Sequence, residues 1–107
     1  MSVFTVDISK HLENSIKFVK IGPSADDVLK VDDNKNTVIK IQEIINKDDS
    51  NTGIEKALKL AVGEEGMKKI EEMNLSFSAY QNVFIGVMAA ISAKSYEEME
   101  KQFRNNQ

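Results

Sequence analysis

The sequence predicts a mainly all-α fold: a small bundle of about four to five helices, with a short N-terminal β-hairpin or extended segment. Three observations carry this. From Asn34 onward, apolar residues recur at three- and four-residue spacing. Serine and threonine capping signals punctuate the same region. Residues 73–93, MNLSFSAYQNVFIGVMAAISA, run 21 positions without a charge in a chain that is 29% charged. The second half of that run is apolar on nearly every side of a helix, whereas a surface helix of a small domain buries one stripe.

At 107 residues the chain is expected to form one domain, with residues 1–33 extended or hairpin and 34–104 helical. In the N-terminal third, Ser15-Ile16-Lys17-Phe18-Val19-Lys20-Ile21 has β-branched and aromatic content. The turn cluster Gly22-Pro23-Ser24-Ala25-Asp26-Asp27 follows, and Val28-Leu29-Lys30-Val31 returns as a second strand. The rival is a helix from about Asp7 to Lys20, with Ile8, Leu12, Ile16 and Val19 on one face.

The first clear helix carries Val38, Ile41, Ile44 and Ile45 as its stripe, with Asn36 as N-cap. Lys47-Asp48-Asp49-Ser50-Asn51 breaks it. Thr52-Gly53-Ile54-Glu55 reads as a capping box opening a short helix through Val62, with Ile54, Ala57, Leu58 and Ala61 inward. Gly63 is placed to end that helix in a left-handed conformation. Glu64 and Glu65 suit the positive end of the next, whose buried edge is Met67, Ile70 and Met73. Asn74-Leu75 turns the chain. Ser76 caps a helix to about Ala93, with Leu75 and Tyr80 spaced as a hydrophobic staple. Ser95-Tyr96-Glu97-Glu98 is another capping box, and Tyr96, Met99 and Phe103 edge the last helix. Glu97/Lys101 and Glu100/Arg104 are its supporting pairs.

Charge and chemistry narrow the function. Net charge is −3, and residues 1–31, 32–73 and 94–107 are each neutral or acidic. No block supplies the basic footprint that nucleic acid needs. Residues 1–10 lack the charged start and apolar block of a secretory leader. Asn74, Ser76, Ser78, Gln81, Asn82 and Ser92 interrupt the uncharged run, so a membrane span is not expected. There is no cysteine, one histidine (His11) and no Gly-rich phosphate loop. The combination of nucleophile, base and orienting group is missing, so neither enzyme nor cofactor site is expected.

Calcium is the nearest metal reading. Asp32, Asn34, Asn36 and Glu43 fall on EF-hand loop positions 1, 3, 5 and 12, but Thr37 stands where the loop wants Gly. Asp48, Ser50, Thr52 and Gly53 make a second near match, with Lys59 in place of the closing Glu. Each set has a fault, and no metal site is assigned.

The helix after Ser76 carries the functional signal. Phe77, Tyr80, Phe84, Val87, Met88 and Ile91 form a bulky stripe, which Met73 extends. Ala79, Asn82, Val83, Gly86, Ala90 and Ala93 form a slimmer one roughly opposite, with Ala79, Gly86, Ala90 and Ala93 its smallest members. Gly86 costs about 1 kcal/mol of helix propensity against Ala, which close approach of another backbone would offset. Either stripe can fill the core while the other meets a neighbour, or both can be enclosed. Met67, Met73, Met88 and Met99 suit a surface that accepts varied apolar partners, and equally suit a core. The bulky stripe is the candidate partner-binding groove.

Gly63-Glu64-Glu65-Gly66-Met67, Ile70-Glu71-Glu72-Met73-Asn74-Leu75-Ser76, Tyr80 and Val83-Phe84-Ile85-Gly86-Val87-Met88 together resemble the short tail assembly chaperones of long-tailed bacteriophages of Gram-positive hosts, including lactococcal ones. Val31-Asp32-Asp33-Asn34-Lys35-Asn36-Thr37-Val38-Ile39, leading into a helix, is similar to their N-terminal halves. The resemblance spans roughly residues 31–93. It implies a small helical, non-enzymatic protein of the infected cell's cytoplasm. Such a protein binds the long apolar tape measure protein before the tail tube forms and is absent from the finished virion. A groove that takes client helices is also expected to take a further copy, giving a homo-oligomer. The competing expectation is a structural or adaptor helical protein retained in an assembly, and a calcium-responsive helical module stands behind that.

Overall fold

A computed structural model describes residues 3–12 and 16–105. It is 64% helical, with four helices and one antiparallel hairpin. A 3-10 turn at Ser9–His11 precedes β1 (Lys17–Lys20) and β2 (Val28–Val31). Then come α1 (Lys35–Lys47), α2 (Asn51–Glu72), α3 (Phe77–Ser92) and α4 (Tyr96–Asn105).

Within the described part of the N-terminal third, residues 17–31 form a hairpin rather than a helix. β1 pairs β2 with Lys17 opposite Val31 and Lys20 opposite Val28, around the Gly22-Pro23 turn. Alternation decides the outcome: Leu29 and Val31 point inward and are buried, while Phe18 and Lys30 point outward. The rival helix from Asp7 to Lys20 is thereby corrected. Its Ile8, Leu12 and Ile16 are exposed, and only Val19 packs against the core. Ser15, the expected start of the first strand, lies outside the described residues.

Asp32 fastens the hairpin to the helices. Its N–H donates to the Ala61 carbonyl at 2.8 Å. Its carboxylate accepts from the Asn34 N–H and the Thr37 hydroxyl, each at 2.9 Å. The carboxylate thus ties the cap residue Asn34 to Thr37 in the first turn of α1. Asn36, expected as the N-cap, instead stands inside the helix, and the cap position falls on Asn34. The EF-hand spacing is consequently not realised as a loop, because residues 35–43 are already helical. Asp48 acts similarly before α2: its carboxylate accepts from the Ser50 hydroxyl and N–H, and these bonds hold its pKa below the usual value. The α2 N-cap is therefore Ser50, not Thr52.

α2 joins what the sequence divides into two helices. Gly63 adopts φ 72°, ψ −179°, outside both the helical and the left-handed helical wells, and the helix resumes at once. The break is what lets α2 bury both halves. On an unbroken 3.6-residue helix, Met67 and Ile70 would face nearly opposite Ile54 and Leu58. The dislocation re-aims the second half, and all four side chains are buried in one cluster.

The remaining caps follow the sequence closely. The Ala79 N–H donates to Ser76 Oγ at 3.2 Å, and Leu75 and Tyr80 are both partly buried against the core. The Glu98 N–H donates to Ser95 Oγ at 3.2 Å, and the Ser95 hydroxyl donates to the Glu98 carboxylate at 3.1 Å. Glu100 pairs with Arg104 at 3.5 Å. Among the described residues, Glu97 and Lys101 form no ion pair. One buried cluster unites Leu29 and Val31 of the hairpin with Ile41 of α1, most of the inward face of α2, and Phe84 and Val87 of α3.

Candidate functional site

The architecture leaves one apolar furrow lined by three helices. α1 packs chiefly on α2, and α4 chiefly on α3. Between α1 and α4 a cleft of about 420 Å³ remains open. Its floor is Phe84, which is 4% exposed and meets Phe103 edge-to-face with ring centroids 6.0 Å apart. Val38, Ile41 and Ile45 form the α1 wall, and Met99 and Phe103 the α4 wall. Met88 and Ile91 of α3 lie between them, both half-buried. Gln42, Asn46, Ser92 and Gln102 supply an uncharged polar rim.

The bulky stripe of α3 is thus divided by the fold. Phe84, Met88 and Ile91 meet in the cleft. Val87, fully buried, belongs to the core and cannot touch a partner in this conformation, and Tyr80 is half-buried against the same core. Burial raises the Tyr80 phenol above its ordinary pKa, with the Glu55 and Glu71 carboxylates adding to the shift. Met73 sits apart, beside Ile21 and Pro23, in a shallow recess at the end of α2. Phe77, the first residue of α3, is 57% exposed and lies outside the cleft.

The slim stripe meets the hairpin and the first residue of α4 at Gly86. Over Gly86 lie Val19 of β1 and Tyr96 of α4. Ala79 and Ala90 are partly buried. Ala93 is exposed and ends α3 in the left-handed conformation, φ 54°, with the Lys94 N–H donating to the Ala89 carbonyl at 2.9 Å. The close-packing face is therefore shared by β1 and α4 over Gly86, and Ala93 serves as the helix end. A Cβ on Gly86 would meet Val19 at 3.5 Å and Tyr96 at 4.0 Å, ordinary contact distances. Gly86→Ala is accordingly expected to raise stability by about 0.5–1 kcal/mol, read as a higher urea midpoint with unchanged m-value.

The middle of α3 is enclosed on more sides than its sequence implies. Ile85 is 1% exposed and Ala89 5%, beside Phe84 and Val87. The apolar excess that the sequence locates on this helix is absorbed by α2, the hairpin and α4, all of which pack on it. What stays open includes the cleft, Phe77, Ile16 and Phe18, and the N-terminal residues Val3, Phe4, Val6, Ile8 and Leu12, each of these side chains more than half exposed.

The α1 and α4 walls were not in the sequence-derived site. Their stripes were legible, but which helix stands beside which is a tertiary fact. A larger recess of about 520 Å³ between β2 and α2 is lined by Asp32, Asp33 and Glu65 among others. Asp32 is engaged as described, and Asp33 is paired with Lys17 at 3.0 Å. Among the described residues, no three His, Cys, Asp or Glu side chains converge as a metal would require, and no helix is long and apolar enough to cross a membrane. Compared with protein-family models, curated proteins and solved structures, the chain matches none.

Proposed function

We propose that this protein is a phage tail assembly chaperone that covers apolar helical segments of the tape measure protein in the cytoplasm of the infected host. The observation that carries the proposal is the α1–α3–α4 cleft: apolar along its length, uncharged at its rim and bounded by two helices that could separate to admit a third. An amphipathic client helix fits such a furrow by laying i, i+3, i+4 and i+7 anchors into it. Met88 and Met99 allow the walls to adapt to different client side chains. Each large side chain fully buried contributes on the order of 1.5–3 kcal/mol, so a few anchors hold a client while association costs keep release accessible. The resemblance of residues 31–93 to the tail chaperones points to the same client class.

The test is a titration of the full chain with peptides spanning the tape measure protein. Met88→Asp and Ile91→Asp are the informative variants, because both side chains are half-buried at the cleft. Phe84→Asp would place a charge in the core and unfold the chain. Binding is expected to weaken by about tenfold or more with helix content preserved. Undiminished binding by folded Met88→Asp and Ile91→Asp chains would remove the cleft from the proposal. Mass spectrometry of purified virions separates the chaperone from a retained structural protein, since a chaperone is expected to be absent.

A further inference from the structure

The N-terminal segment and the hairpin each carry an unsatisfied half of the same structure. Phe4, Val6 and Ile8 alternate with Thr5 and Asp7, the period of a strand with one apolar face. Phe4 is 91% exposed, Val6 67% and Ile8 53%. Among the described residues, no backbone–backbone hydrogen bond involves residues 3–7. The Cα radius of gyration, 16.4 Å, exceeds the roughly 13 Å of a compact chain of this length. An apolar strand face left in water is an unpaired surface, not a spacer.

The hairpin offers the matching edge. The Ile21 N–H donates to the Asp27 carbonyl at 2.8 Å, continuing the β1–β2 register. In an antiparallel ladder alternate residues bond across, so Lys17, Val19 and Ile21 face β2. The N–H and C=O groups of Phe18 and Lys20 therefore point away from it, where the sheet has no third strand among the described residues. The opposite edge is closed. Lys69 Nζ donates to the Val28 carbonyl at 3.1 Å and the Asp26 carbonyl at 3.4 Å, and α2 lies alongside.

We propose that residues 4–8 of one copy add to the free β1 edge of a second copy as a third strand. The faces agree. With Phe4, Val6 and Ile8 on the inward side, they extend the layer that Val19 begins over α3. Thr5 and Asp7 then share the outer side with Phe18 and Lys20, and the Asp7 carboxylate comes near the Lys20 ammonium. The donor strand is acidic at Asp7, and the acceptor is basic at two of its four residues. Among the described residues the two segments are unpaired within one chain, and a second copy is the occupant that satisfies both. This surface is separate from the α1–α3–α4 cleft and does not depend on the chaperone proposal.

The test uses the full chain, which contains no cysteine. An Asp7→Cys chain is mixed with a Lys20→Cys chain and treated with a short thiol cross-linker; only contact between copies yields the mixed dimer. A Met99→Cys chain reports capture of the segment by the cleft instead. Cross-linking to position 20 but not 99 is expected. Sedimentation should show wild-type association rising with concentration and weakened about tenfold or more by Val6→Asp. That variant keeps its fold, because Val6 is exposed. The Phe18 and Lys20 amides should exchange more slowly as the wild type is concentrated. A monomer at every concentration, cross-linking to 99 rather than 20, or protection of Phe18 and Lys20 independent of concentration would each overturn the proposal, the last because it would mean the segment pairs with its own chain.

Discussion

Leu58→Ala is expected to lower the unfolding free energy by about 2–5 kcal/mol. Leu58 is 0% exposed at the centre of the cluster that unites the hairpin with α1, α2 and α3. Its neighbours on the α2 face, Ile54, Ala57, Ala61 and Val62, are themselves buried, and two of them are alanines. Alanines have no length to spare, so they cannot move into the vacated space. The site should collapse poorly and the loss should fall in the upper part of that range. A loss of this size is a large share of what a small domain possesses. Denaturant titration reads it as a lower midpoint with little change in m-value. A loss below about 1 kcal/mol would mean that Leu58 is not packed as described.

Gly63→Ala is the second large effect, and its cause is the backbone. A side chain at φ 72°, ψ −179° is strained whatever the surrounding space, because that region is essentially restricted to glycine. Nothing lies within 4 Å of a Cβ built there, so no clash contributes. The direct cost is about 1–3 kcal/mol. The alanine chain also has an escape that the glycine chain does not use, which is to straighten α2. Straightening would swing Met67 and Ile70 out of the cluster that Ile54 and Leu58 occupy. The expected signature is a lower midpoint together with new solvent exposure at Met67, read by its susceptibility to peroxide. Gly63→Ala with wild-type stability would contradict the dislocation.

The legible parts of the fold were those whose physics is local. Ser76 and Ser95 cap their helices because a hydroxyl three residues ahead of an N–H suffices. The hairpin follows from alternation meeting a Gly-Pro turn. The break at Gly63 was visible as a glycine, but not that the helix would resume at once, since that depends on Met67 and Ile70 finding the same core. Asn36 and Thr52 are not caps because each helix starts two residues earlier: the cap positions fall on Asn34 and Ser50, whose N–H groups the Asp32 and Asp48 carboxylates hold.

The candidate site was half legible. Phe84, Met88 and Ile91 do meet, but Val87 is enclosed, and Met73 and Phe77 lie elsewhere. Periodicity gives the angle of a residue about its own helix and nothing about what stands opposite. Periodicity therefore leaves open how much of α3 one chain hides, and α2, α4 and the hairpin cover most of it. The uncovered surface lies chiefly in the gap between α1 and α4 and along Phe4, Val6 and Ile8.

Four methionines are placed to judge the cleft directly. Met88 and Met99 line it, Met67 is 8% exposed in the core, and Met73 lies in a separate recess. The deciding measurement is methyl NMR of the methionine-labelled full chain during titration with apolar helical segments of the tape measure protein. Saturable shifts of Met88 and Met99, with Met67 and Met73 unmoved, are predicted. Shifts confined to Met73, or no saturable shift at Met88 and Met99, would contradict a client helix seated between α1 and α4.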